Sequence, residues 1–243
     1  MKKSKIIFRS LFAFLMVSVF LNSCIDDPEP VALDVLPDVF IQKISDNGTE
    51  KYGLAFWVFG NKDLEAVTVD GPEGDNWTLE QDPSNTRIFN LYPETAEFTE
   101  VIPAAGEYEF TVTSTQVDEE PLSASDELDA DELGILLIEG TEYINSQLKT
   151  TWQVVDDADN YLVRLYNDSG DILFVGPQLA DNKTDFTFGN ASDGWLNSAQ
   201  LAETGEAYKV EVLAILYESG VTSGKEYNIQ CISIATEDII WGE

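Results

Sequence analysis

Gly106-Glu107-Tyr108-Glu109-Phe110-Thr111-Val112-Thr113-Ser114 alternates apolar and polar side chains: Tyr108, Phe110 and Val112 on one parity, Glu107, Glu109 and Thr111 on the other. Successive side chains of a strand point to opposite faces, so this stretch has one core face and one wet face. A strand of that kind belongs to an antiparallel sheet packed on one side only. Working outward, short runs of the same character recur at 39–44, 52–59, 65–69, 77–80, 87–91 and 97–102. Asn47-Gly48 between the first two reads as a tight hairpin turn. A second series follows at 135–139, 148–155, 161–166, 172–175, 184–188, 208–216 and 228–235, with Asp168-Ser169-Gly170 as a turn and the apolar Ile239-Ile240-Trp241 behind it. Residues 191–202, with Trp195 and Leu196, are expected to form a short helix. Many short strands separated by Gly, Pro, Asn and Asp clusters indicate an all-β chain of sandwich type.

Between the two series the composition changes. Eight of the sixteen residues 118–133 are acidic and none is basic, and Pro121 stands near the start. Self-repulsion favours an extended linker there, with a helical turn over 124–133 as the other option. The sequence therefore divides into 1–23, 24–36, a first β-sandwich at 37–117, an acidic linker at 118–133 and a second β-sandwich at 134–243.

Composition excludes several functions. The 243 residues are 44% hydrophobic and 11% aromatic, enough for a real core. There is no His, so no Ser-His-Asp or Cys-His catalytic set and no His-ligated metal can form. Thirteen Lys and Arg stand against 45 Asp and Glu, a formal charge of −32. A phosphate backbone needs clustered cations, so nucleic acid is not an expected partner. No Gly-rich phosphate loop, Cys-x-x-Cys or Gly-x-Ser-x-Gly is present. Carboxylates abound, but no pair stands out as a glycosidase acid and base, so no catalytic residue is assigned and the chain reads as non-enzymatic.

The start of the chain carries an address. Lys2, Lys3 and Lys5 precede an almost wholly apolar run over 11–21, too short for a membrane span. The stretch Leu21-Asn22-Ser23-Cys24 resembles the bacterial lipobox. That resemblance implies cleavage before Cys24, a diacylated Cys24 side chain and an acylated new N-terminus. With ~0.8 kcal/mol per buried methylene and two chains needed for stable residence, such a group holds a protein on a membrane. Ile25-Asp26-Asp27-Pro28-Glu29-Pro30 is similar to the acidic export signal of Bacteroidota surface lipoproteins. It implies the outer membrane, with 24–36 as a lipidated tether and the remainder facing the medium. Removing 1–23 takes four basic residues and no acidic ones, so the mature chain is more negative still.

The second half resembles a fibronectin type III domain. Trp152 in Leu148-Lys149-Thr150-Thr151-Trp152, the run Ala158-Asp159-Asn160-Tyr161-Leu162-Val163, and Leu201 with Tyr208-Lys209-Val210-Glu211-Val212 carry the likeness. It implies a core Trp and a corner tyrosine whose hydroxyl bonds nearby backbone. Glu203 stands where the family has Pro, and one residue is added before Tyr208. In the first half, Val67-Thr68-Val69-Asp70-Gly71-Pro72 and Gly106-Glu107-Tyr108-Glu109-Phe110-Thr111-Val112 look like immunoglobulin-like domains of bacterial surface proteins.

Binding residues are less legible. Calcium would suit carboxylates, and two clusters qualify: Asp126, Glu127, Asp129, Asp131 and Glu132, and Asp156, Asp157 and Asp159. Neither has the spacing of a calcium loop, so no metal and no cofactor is assigned. Trp57, Trp77, Trp195 and Trp241 are candidates for a sugar-stacking platform, with Phe56, Trp57 and Phe59 placing aromatics on both faces of one strand. Trp57 is expected to cover a domain junction or loop. Cys231, in an alternating apolar stretch, reads as a small buried hydrophobe. The expected role is a surface-anchored binding or accessory lipoprotein, with a glycan as one admissible ligand; the alternative is a scaffold docking another envelope protein. Cys24→Ser is expected to move the protein from the membrane fraction to the soluble fraction with unchanged circular dichroism. An unlipidated mature form in the native host would contradict the anchor.

Overall fold

A computed structural model describes residues 31–220 and 228–242. The signal region and Cys24 lie outside the described residues. The first half supplies β1 (Val35–Asp46), β2 (Thr49–Gly60), β3 (Leu64–Asp70), β4 (Asn76–Thr78), β5 (Glu80–Gln81), β6 (Ile88–Leu91), β7 (Gly106–Ser114) and β8 (Leu122–Leu128). The second supplies β9 (Ile138–Ile144), β10 (Gln147–Trp152), β11 (Asn160–Asn167), β12 (Ile172–Val175), β13 (Leu179–Ala180), β14 (Asp185–Phe188), β15 (Ala207–Tyr217) and β16 (Ile229–Ile240). The only helical element among the described residues is a 3-10 turn at Thr95–Glu97. No helix among them is long and apolar enough to cross a membrane.

The expected all-β sandwich class is observed. The quoted alternation of β7 is realised as drawn: Tyr108, Phe110 and Val112 are buried, Glu107, Glu109 and Thr111 exposed. In the first half β1, β2, β6 and β5 face the four-stranded sheet β4-β3-β7-β8. Phe56 of β2 meets Tyr108 and Phe110 of β7 edge-on, with ring centroids 5.9 and 6.1 Å apart. In the second half β12, β11, β15 and β16 face β14-β10-β9. Trp152 of β10 lies 5.6 Å from Tyr161 of β11, and Phe174 stacks on Phe188 at 4.2 Å. Asn47 and Gly48 both have positive φ, 52° and 84°, between the paired Asp46 and Thr49. That is a two-residue hairpin whose twist matches the strands.

Each half carries a corner tyrosine. The Glu203 N–H donates to the Tyr208 hydroxyl at 2.9 Å, so the corner forms despite the missing Pro and the added residue. In the first half the Tyr108 hydroxyl donates to the Ala104 carbonyl at 2.8 Å.

The halves are not beads on a linker. β1 pairs in parallel with β16, Ile41 opposite Cys231 through Ile44 opposite Ile234. This pairing fuses the two larger sheets into one nine-stranded sheet, in the order β12-β11-β15-β16-β1-β2-β6-β5 with β13 beside β11. The described residues from Leu33 onward belong to a single compact unit.

Residues 118–133, expected as an extended linker, contain β8, hydrogen-bonded along β7 from Val112–Leu122 to Gly106–Leu128. Alternation outweighs charge here. Ser123, Ser125 and Glu127 face solvent while Leu128 and, further on, Leu133 and Leu136 are buried. Two of the acids are neutralised by returning contacts: Glu119 pairs with Lys62 at 2.6 Å and Glu132 with Lys43 at 3.0 Å. Lys43 is only 3% exposed, and its Nζ also donates to the Leu133 carbonyl at 2.8 Å and pairs with Glu50 at 3.0 Å. Burial works to lower the Lys43 ammonium; its bonds to Glu50 and Glu132 outweigh that and hold it above the ordinary lysine value.

Three smaller expectations also change. Residues 97–102 form no strand; they leave the 3-10 turn and pair with β2 at the single Tyr52–Thr99 bridge. Pro93 and Pro103 bound that stretch and remove two ladder donors. Residues 191–202 form turns and a single bridge, Phe174–Trp195, not a helix. Its Asn, Ser, Asp and Gly content favours turns, which the aromatic pair had obscured. The strand expected at 135–139 begins at Ile138.

Trp152 is 1% exposed. Trp152→Ala is expected to cost about 3–5 kcal/mol by leaving a cavity. A urea titration should show the midpoint fall with the m-value unchanged; an unshifted midpoint would contradict the packing described.

Candidate functional site

The core described above lies on one side of the nine-stranded sheet. On the other side, Phe40, Ala55, Leu213, Ile215, Tyr217 and Ile232 form a separate apolar cluster, with Trp57, Leu162, Ile229 and Ile234 against it. Neither smaller sheet contributes a side chain to this cluster. Its members come from β1, β2, β11, β15 and β16, on the parity opposite to the core residues of each strand, except Ile229, which lies beyond the irregularity between β15 and β16. The cluster straddles the seam between β1 and β16. A groove runs over it.

The central hollow of the groove has a volume of about 570 Å³ and is walled by Trp57 and Tyr92 on one flank and by Arg164 and Tyr166 on the other. That size is in the range of small-ligand sites, ~300–1,000 Å³. It shares Arg164, Val175, Leu213 and Ile232 with a hollow of about 460 Å³ that reaches Gln178 and Tyr217. At the opposite end it shares Tyr166 and Glu211 with a more polar hollow of about 700 Å³ beside the 167–170 turn. Trp57 stacks on Phe59 with ring centroids 6.3 Å apart and planes 11° from parallel. Phe40 and Tyr92 are also 6.3 Å apart, and Tyr92 is 48% exposed.

One polar cluster interrupts the apolar floor. Arg164 Nη1 lies 3.5 Å from Glu211 Oε2, and the Tyr166 hydroxyl donates to the same oxygen at 2.9 Å. Burial pushes the Glu211 carboxyl above its ordinary value, against the pull of Arg164. Burial and then the Glu211 charge push Tyr166 up to about 12. Arg164 Nε is buried with no hydrogen-bond partner among the described residues. The groove therefore offers flat apolar surface around a held guanidinium donor, a carboxylate acceptor and a hydroxyl. These groups can orient a ligand.

The sequence candidates separate in space. Trp241 is a core residue, 1% exposed, and Trp77 and Trp195 pack partly buried against the core, so the four tryptophans make no common platform. Trp57 alone reaches the outer face, where it lines the groove instead of covering a junction or loop. Cys231 is fully buried, and burial pushes its thiol up to about 11. Asp156 and Asp157 are exposed, while Asp159 accepts the Tyr217 N–H at 2.9 Å. The 126–132 acids also disperse. Glu132 pairs with Lys43, the Asp129 and Asp131 carbonyls accept from Gln230, and Asp126 alone meets other carboxylates, those of Asp38 and Glu218. Sequence reasoning missed Phe40, Arg164, Tyr166 and Glu211. The available signal was apolar residues on both parities of β15, as in Leu213-Ala214-Ile215-Leu216.

No protein-family model matches the chain, and no curated protein matches it in sequence. Among solved structures it is similar to a two-domain fibronectin type III segment of chicken tenascin, at 13% identity over 85% of this chain and 99% of that one, with a TM-score of 0.29. It is also similar to the FN1–FN3 domains of chicken CNTN1, at 13% identity over 88% and 70%, TM-score 0.29. A DUF3823 family protein of Bacteroides uniformis aligns at 12% identity over 84% and 98%, TM-score 0.35. The β-sandwich class rests on this chain's own strand pairing.

Proposed function

We propose that this chain is a non-enzymatic binding module, held on the outer membrane through an acylated Cys24 and facing the medium, with the groove as its ligand face and a glycan as the ligand. The observation that carries the reading is the apolar, aromatic-flanked groove on an unshared sheet face, with Arg164, Glu211 and Tyr166 as its fixed polar centre. A sugar ring has one apolar face for Trp57 or Tyr92 and hydroxyls for the charged pair. Absence of His and the inert, buried state of Cys231 leave recognition as the better use of these groups. The mature chain's negative charge keeps it soluble and away from polyanions, which favours a neutral ligand.

A second reading has its own support. The aliphatic stretch through Leu213, Ile215 and Ile232 continues beyond one sugar's footprint and suits an apolar segment of another envelope protein.

Affinity electrophoresis and a glycan array with the wild type, Trp57→Ala and Arg164→Ala test the first reading. Binding by the wild type and a loss of about tenfold or more in each variant, worth ~1.4 kcal/mol, is expected. No wild-type binding to any glycan removes the sugar ligand. Crosslinking in cells that then yields one dominant envelope protein at the groove would establish the scaffold reading.

A further inference from the structure

Asp38 of β1, Asp126 of β8 and Glu218, which follows β15, bring one carboxylate oxygen each to within 4.8 Å of one another. The three come from positions 38, 126 and 218, so only the folded seam assembles them. Asp38 is 1% exposed, and its Oδ2 has no hydrogen-bond partner among the described residues. Glu218 Oε1 is likewise buried without a partner among the described residues. The remaining oxygens are oriented by the protein. Ile229 N–H donates to Asp38 Oδ1 at 3.1 Å, Val39 N–H to Asp126 Oδ2 at 2.8 Å, and Asn228 Nδ2 to Glu218 Oε2 at 3.0 Å. Among the described residues no Lys or Arg forms an ion pair with any of the three.

Desolvation, then the neighbouring carboxylates, pushes Asp38 up to about 9. Desolvation, with the charge of Glu218 adding to it, pushes Asp126 up to about 7. Three close carboxylates, held by two backbone N–H groups and one side-chain amide and facing no cationic side chain among the described residues, repel one another unless a cation joins them. We infer that Asp38, Asp126 and Glu218 form a calcium site that ties β8 to the β1–β16 seam, with water completing the coordination shell. An all-oxygen donor set selects a hard cation over zinc or copper. Calcium–oxygen distances of about 2.3–2.6 Å span oxygens this far apart with small side-chain rotations, whereas magnesium demands about 2.0–2.1 Å and near-octahedral geometry. Asp38 also lines the central hollow of the groove, so the site adjoins the Arg164–Glu211 centre without sharing a residue with it.

The test uses the whole chain, stripped with EGTA and then titrated with calcium chloride alone, followed by calorimetric titration and thermal melting. Extracellular calcium modules bind at about 10⁻⁴–10⁻³ M, so ~5 mM calcium should raise the melting temperature by several degrees. Asp126→Asn should lose that rise while melting higher than the wild type in EGTA, because a buried ionisable carboxyl is gone. Glu218→Gln should behave in the same way and covers the case in which the first variant fails to fold. No calcium-dependent shift in the wild type, or a full shift retained in both variants, overturns the site. A shift as large with magnesium alone overturns the assignment to calcium.

Discussion

Everything in this architecture depends on the hydrogen bonding of β1 to β16. The first and last strands among the described residues lie side by side and parallel, in an otherwise antiparallel fold. A parallel neighbour cannot be joined by a hairpin, so its partner must arrive from far along the chain. Here almost the whole chain separates them, and closing that loop has an entropic cost that local pairing cannot offset. The return comes from side chains on both faces of the seam. Ile41 and Cys231 are buried on one face, Phe40 and Ile232 on the other. Lys43, two residues on from Ile41, reaches back to the segment after β8 and fastens the four-stranded sheet to the same strand.

The seam also makes the groove. Two separate sandwiches would each present a narrow outer sheet face, normally wet and polar. Fusing them yields a wide, twisted sheet whose outer face has an interior of its own, and apolar side chains become admissible there. Trp57 and Tyr92 come from the first half, Arg164, Tyr166 and Glu211 from the second. Neither half contains the candidate site alone. The carboxylate trio obeys the same logic, with Asp38 and Asp126 on one side and Glu218 on the other.

Much of the fold was legible in the chain, and the reasons are local. Period-two alternation gave β7, β11 and β15; Asn47-Gly48 gave the first hairpin; Trp152 and Tyr208 gave the second core and its corner. Pairing between distant strands leaves no such local trace, so the seam was invisible and with it the groove. The acidic stretch misled because its charge was weighed before its alternation: Leu122, Ala124 and Leu128 already carried the pattern of a strand. The site was legible only as types of residue. Trp57 and Asp126 were among the candidates, but their partners Arg164, Glu211, Asp38 and Glu218 had no sequence neighbour to single them out.

Scanning calorimetry of the whole chain in one buffer tests the shared sheet most directly. A single endotherm with equal calorimetric and van't Hoff enthalpies is the predicted result, since neither half can melt without exposing the seam of the other. Two resolved endotherms, one for each half, would contradict a continuous sheet and return the molecule to two independent sandwiches.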